Sequence, residues 1–268
     1  MRWIASVLIV LAVAGAGVAE TYNTPVIDGT ISIGPDDWDA TDHAYSEAAD
    51  DNRYYPNDPD LTDLYVTWNA DTLYVGLVTE RDPGGFGNGY LLWIDIDAQD
   101  GITGATDFSG ADYFPRRVTF STMGADVIVG GWSLPDNMDV KFCGVPESTS
   151  DVPGARGVSD EVTRHIEAAI PWDAIYDSIP PPPRAVPTGT TLRFIAAIVG
   201  GDNTGAYDAM PTSTTGAESD PVTPFDATTD LDVYHEIVVD ANADGIPDTG
   251  YTPVERGSWA KVKSLYTE

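Results

Sequence analysis

DLYVTWNADTLYVGLVTERD, residues 63–82, alternates apolar and non-apolar residues in two runs separated by Asn69-Ala70-Asp71. Successive side chains of a strand point to opposite faces. Leu64, Val66 and Trp68 therefore share one face of the first run, and Leu73, Val75 and Leu77 share one face of the second. A short connection rich in turn formers joins antiparallel neighbours. The stretch predicts a β-hairpin with one face committed to a core.

The same short β-type pattern recurs along the chain as YLLWIDID, RVTFST, DVIVGGW, DVKFCG, VTRHIEAAI, TLRFIAAIV and VYHEIVV, with Gly, Pro, Asn and Asp between the runs. Short strands bounded by turn residues predict an all-β sandwich or barrel. Long helical periodicity is absent, and PWDAIYD, with Pro171 suited to a first helical position, is the best helical turn. IPPPPRAVP, residues 179–187, is extended and unfit for a central strand. Residues 209–230 form a long polar excursion of the kind that is functional or disordered. A single antiparallel β-sandwich domain over 20–268 is the economical solution.

Residues 1–19 have the layout of a secretory signal peptide: Arg2, an apolar run from Ile4 to Val13, and the small-x-small site Gly17-Val18-Ala19. The run is shorter than the ~20 residues a membrane-spanning helix needs. The expectation is a secreted or cell-surface protein with no membrane insertion after signal removal. The single cysteine, Cys143, excludes an intramolecular disulfide and reads as a small buried hydrophobe. Forty-three Asp and Glu against 13 Lys and Arg give a net charge of −30. Such a surface repels phosphate backbones, which excludes nucleic acid and anionic membrane as partners. It suits divalent cations, neutral polysaccharides or a saline habitat.

Several stretches together resemble a known family. VIDGTISIGPDDW, residues 26–38, resembles the opening of family 9 carbohydrate-binding modules and related DOMON-like sandwiches; the hairpin at 63–82 resembles their second element, and IEAAIPWDAI, residues 166–175, their late E-x-x-IPW signature. The resemblance implies a jelly-roll-like sandwich that binds a polysaccharide or oligosaccharide without catalysis. It also implies association with a larger cell-surface or glycan-degrading assembly. The family's pair of ligand-sandwiching tryptophans has no counterpart that aligns here. The C-terminal GSWAKVKSLYTE is similar to a segment that precedes sorting domains in large secreted bacterial proteins.

Sugars pack C–H groups on flat aromatic faces and take hydrogen bonds at the rim. Trp68 alternates with Leu64 and Val66 and reads as core, and Trp38 and Trp172 belong to the family-like motifs and, by that resemblance, anchor the core. Trp93 and Trp132 face away from the clearest apolar residues of their strands. Trp93 and Trp132 are the stacking candidates, with Tyr90, Phe86 and Tyr113 nearby and Asp95 and Arg117 as rim partners. The alternative is a structural or adhesive surface module of the same fold with every tryptophan buried. A glycosidase needs two opposed carboxylates, but a chain this acidic always offers a pair, so abundance decides nothing. No nucleophile elbow, zinc-protease or phosphate-loop motif occurs, and His43, His165 and His235 are scattered.

Two acidic stretches fit cations. In VVDANADGIPDTGY, residues 238–251, Asp240, Asn242 and Asp244 occupy alternate positions, Gly245 turns the chain, and the Ile246 carbonyl and Asp248 follow. Calcium takes six to eight hard oxygens from such a loop, but Tyr251 stands where an EF-hand needs a bidentate Glu. The pattern therefore predicts a structural calcium staple or an ion-free acidic turn, and no regulatory switch. In IDIDAQDGITGATD, Asp95 and Asp97 share a strand face, with Asp100 and Asp107 following; they either converge on a second cation or form a solvated strand end.

Overall fold

The computed structural model describes residues 23–48, 59–80, 88–132, 138–144, 149–160, 162–178, 185–201, 204–214 and 227–248. The predicted signal peptide, Phe86 and Tyr251 lie outside the described residues.

The fold is all-β, an antiparallel sandwich of two sheets. In the smaller sheet, β1 (His43–Ser46), β2 (Asp60–Trp68), β3 (Thr72–Glu80), β10 (His165–Pro171) and β9 (Arg156–Asp160) lie in the spatial order β1-β2-β3-β10-β9. The larger sheet runs β12 (Ala206–Met210), β11 (Thr191–Val199), β4 (Gly89–Asp95), β6 (Val127–Trp132), β7 (Asp139–Cys143) and β8 (Thr149–Asp151), with β14 (His235–Val238) on the other half of the β11 edge. Two short strands, β5 (Val118–Thr119) and β13 (Thr229–Asp230), form a separate parallel pair.

The hairpin at 63–82 forms as its alternation predicts, with Val66 opposite Val75 and Trp68 opposite Leu73. Its inward residues Leu64, Val66, Trp68, Leu73, Val75 and Leu77 join Ile166, Ala168 and Ile170 of β10. Leu92 and Ile94, Val127 and Val129, and Phe194, Ala196 and Ile198 meet them from the larger sheet. Alternate residues of these strands are spent on this one interior, at about 1.5–3 kcal/mol per large apolar side chain buried. Trp38, Trp68, Trp172 and Cys143 are all buried, as expected from sequence. α1 (Trp172–Ser178) starts directly after Pro171.

One strand starts later than its sequence suggests. Val162 is 84% exposed in the β9–β10 turn and takes no part in the core face. The Asp160 side chain accepts the Val162 and Thr163 N–H groups and Arg164 adopts φ 63°, so the chain reverses before His165.

Both sheets carry a cover on the outer face. On the smaller sheet, Ile27, Ile31 and Trp38 of the N-terminal segment pack on Tyr74. Gly76 makes room for it, because a Cβ there would stand 2.8 Å from Ile31 Cδ1 and 3.1 Å from the Trp38 ring. Glu167 pins this cover. Its Oε2 accepts the N–H groups of Asp28, Gly29 and Thr30, and its Oε1 accepts Trp38 Nε1–H at 2.6 Å. His165 Nδ1 accepts the Ile31 N–H at 2.8 Å. The first and last of the three family-like motifs thus meet at Glu167, where their polar residues hold the fold together.

Candidate functional site

The outer face of the larger sheet is covered by the excursion that leaves β4 at Asp97 and returns at Asp126. Odd-numbered residues of β4 face this cover: Leu91 and Trp93 join Ile128, Ile195, Ala197 and Val199 from neighbouring strands in a second apolar cluster. From the excursion come Phe108, Val118, Phe120 and Met123. Trp93 packs edge-on against Phe108 and Phe120, with ring centroids 5.6 and 5.2 Å away. The neck of the excursion is closed by reciprocal hydrogen bonds between Ala105 and Ala125, and Gly124 lies so close to Gly104 that a Cβ would stand 2.4 Å from the Gly104 nitrogen.

The fold revises four of the sequence-based candidates. Trp93 does point away from the inter-sheet core, but it is wholly enclosed and presents no face to a sugar. Tyr90 is also buried, on the opposite side of β4 in the inter-sheet core. Asp95 is buried at the excursion's neck, away from any rim. Arg117 is half-buried within the excursion, its backbone bonded to Thr204 and Thr229.

Trp132 is different. It is 43% exposed, the one exposed tryptophan among the described residues. It ends β6 opposite Gly89, and a Cβ on Gly89 would stand 2.7 Å from the Phe114 ring. The Phe114 ring rests there, 5.1 Å from the Trp132 ring and 4.9 Å from that of Tyr113. The guanidinium of buried Arg116 lies 5.0 Å from the Phe114 ring centre and 5.3 Å from that of Trp132. The Tyr113 hydroxyl donates to the Gly130 carbonyl at 2.6 Å, and Lys141 Nζ sits 4.9 Å from the Tyr113 ring while pairing with Asp151. Burial, then the charge of Asp139, holds the Tyr113 phenol protonated. Tyr113, Phe114 and Trp132 thus form an aromatic ledge over a glycine floor, backed by a cation. Phe114, at φ 48°, and Arg116 were missed in sequence, because only the fold carries the excursion's tip to the end of β6.

At the opposite end of the excursion lie three buried acids, Asp95, Asp97 and Asp126, whose carboxylate oxygens fall within 4.8 Å of one another. Two of them were candidates from sequence. The third was not, and Asp100 and Asp107 do not join: both are exposed, and Asp107 Oδ1 accepts the Ser109 N–H. The register explains Asp126. Ile94 pairs with Val127, so the antiparallel ladder sets Asp126 across from Asp95. Asp126 Oδ2 accepts the Ile96 N–H at 2.9 Å, Asp97 Oδ1 the Thr103 hydroxyl at 2.7 Å, and Asp95 Oδ1 the Asp97 N–H at 3.2 Å. Asp95 Oδ2 has no hydrogen-bond partner, and the Arg193 guanidinium stands 3.7 Å from it. Burial, then the charge of Asp97, pushes Asp95 up to about 7, with Arg193 opposing. Two like charges at this separation repel by about 3 kcal/mol near a protein surface.

In the 240–248 loop, buried Asp240 accepts the Asp244 and Gly245 N–H groups, and Asp244 Oδ1 accepts that of Ile246. Asp248 accepts from the Ala241 and Asn242 backbone and the Asn242 amide. Trp68 Nε1 donates to the Asp248 carbonyl, which ties the loop to β2. Its acids do not converge as the triad at Asp95 does, which is the one such group among the described residues.

The chain matches no family model, no curated protein and no solved structure. The likeness to family 9 modules therefore rests on the three sequence stretches that carry it.

Proposed function

We propose that the protein is an exported, non-catalytic carbohydrate-binding module that takes a polysaccharide or oligosaccharide on the ledge at Trp132. The observation that carries the reading is the half-exposed indole beside Phe114, with Arg116 behind both rings. A protein otherwise this acidic has little use for an exposed tryptophan with a second ring 5.1 Å away except as an apolar contact, and the C–H face of a pyranose suits such a contact. The cation behind the rings is fixed in place, so the ledge is rigid before ligand arrives and binding costs little ordering entropy. The net charge of −30 favours an uncharged glycan over an anionic one. Export rests on the signal-peptide layout of residues 1–19; no described helix is long and apolar enough to cross a membrane.

We propose in addition that calcium binds the 240–248 loop through Asp240, Asn242, Asp244, the Ile246 carbonyl and Asp248, as a staple on β2. Support comes from the alternate spacing of its oxygens along the loop.

Affinity electrophoresis of the purified protein on a panel of soluble polysaccharides tests the ledge. Retardation on at least one neutral glycan is expected, with loss in Trp132→Ala and little loss in Asp151→Ala, which touches only the periphery through Lys141. Absence of retardation on every glycan would return the protein to the structural or adhesive reading.

A further inference from the structure

We infer that Asp95, Asp97 and Asp126 form a second divalent-cation site, suited to calcium, that locks the neck of the excursion over the larger sheet. Three carboxylates, each at most 5% exposed, converge within 4.8 Å at the point where the excursion leaves and re-enters the sheet. Acidic clustering alone would not establish a site. The independent observation is Asp95 Oδ2, fully enclosed and without a hydrogen-bond partner. A buried carboxylate oxygen in that condition is costly unless something compensates it.

Protein cations supply too little. Arg193 stands at 3.7 Å, stacks its guanidinium 4.4 Å from the Tyr234 ring and also pairs with Glu236 at 3.3 Å, so one positive charge is divided between Asp95 and a second acid. Carboxylate oxygens are hard ligands, and no His or Cys belongs to the group, which excludes the softer transition-metal sets. The ligands come from a strand end, a turn and the start of the next strand, an irregular frame that suits the flexible coordination of calcium better than the strict octahedron of magnesium. Asp95 and Asp97 belong to the departing chain and Asp126 to the returning one. An ion between them closes the loop as a disulfide would, in a chain whose single cysteine forbids one.

Terbium luminescence and calcium-dependent melting of the purified full chain test the site, in a parent carrying Asp240→Asn and Asp244→Asn so that the other loop is silent. The parent is expected to bind one ion, with emission excited through Trp93, two residues from Asp95 on the same face. Its Tm should rise by about 5–10 °C at calcium a hundredfold above Kd. Adding Asp97→Asn and Asp126→Asn should weaken binding at least tenfold and remove the calcium shift. Asn retains an oxygen for the Thr103 hydroxyl and the Ile96 N–H, so the substituted protein should melt in chelator no lower than the parent. No ion-dependent emission or Tm shift in the parent would overturn the site. So would an equal calcium shift in the substituted protein, or a loss of stability in chelator as large as in calcium. No glycan enters these measurements, so their failure is separate from failure of the carbohydrate reading.

Discussion

The two outer faces of the sandwich solve the same problem in opposite ways. Each sheet is roofed by an irregular segment, and each roof is fastened at a buried acid. Under the N-terminal roof, Glu167 is surrounded by donors: three backbone N–H groups and the Trp38 indole. Under the excursion, Asp95 faces Asp97 and Asp126, accepts the Asp97 N–H at Oδ1, and leaves Oδ2 without a hydrogen bond, 3.7 Å from the Arg193 guanidinium. Charge-assisted hydrogen bonds to backbone donors satisfy a carboxylate internally. Acids facing acids are compensated by protonation or by a cation. On the inferred cation site, a chain with 43 acidic residues uses some as fixed rivets and leaves others to an ion.

The comparison breaks first at Glu167. Glu167→Ala strands four donors, two of them buried, and should cost about 3–5 kcal/mol in urea unfolding, the same with calcium as with chelator. Rescue by calcium would mean that the N-terminal roof is also ion-dependent. At the other roof the expected dependence is the reverse. With calcium a hundredfold above Kd, the amides of Ala105, Phe120 and Ala125 should exchange about 100-fold more slowly than in chelator, whereas the Ile31 amide bonded to His165 should not change. Equal protection at both roofs would erase the distinction.

Smaller changes sharpen it. Gly76→Ala forces a methyl against Ile31 and Trp38, and should cost about 1–3 kcal/mol by overpacking the N-terminal roof. Thermal melts of that variant should show no calcium dependence beyond that of the wild type. The smallest effect expected is a pH dependence at His165. Burial holds its pKa below the ordinary histidine range, with nearby Asp160 opposing, and its Nδ1 must stay unprotonated to accept the Ile31 N–H. The unfolded chain therefore binds this proton more tightly than the folded one. Its contribution is present above the ordinary value of 6.5 and is lost as pH falls through 6.5 toward the depressed folded pKa. Urea midpoints measured across that window should fall more steeply with acid in the wild type than in His165→Gln.

The hairpin at 63–82, the strand that carries Ile166, Ala168 and Ile170, and the buried Trp38, Trp68 and Trp172 were all legible in the sequence. The hairpin, the strand and Trp68 follow from local alternation, whereas Trp38 and Trp172 were legible only through the family-like motifs that carry them. The facing of Trp93 was legible too, since its strand alternates. Its burial was not, because the Phe108 and Phe120 rings that cover it come from an excursion with no periodicity to announce where it folds back. Asp126 escaped for a related reason: strand register decides which acid stands opposite Asp95, and register belongs to a pair of strands.

By itself, then, the sequence determined the strand pattern, the all-β sandwich and the side of each strand on which a residue lies, because period-two alternation is a local property of the backbone. Only the tertiary structure decided which of those sides meets solvent. It enclosed Trp93 and Asp95, left Trp132 exposed beside Phe114 and Arg116, and brought Asp126 to Asp95 and Asp97. Exposure and convergence depend on segments far apart in the chain, and contacts of that range are set by packing, which no short stretch of residues records.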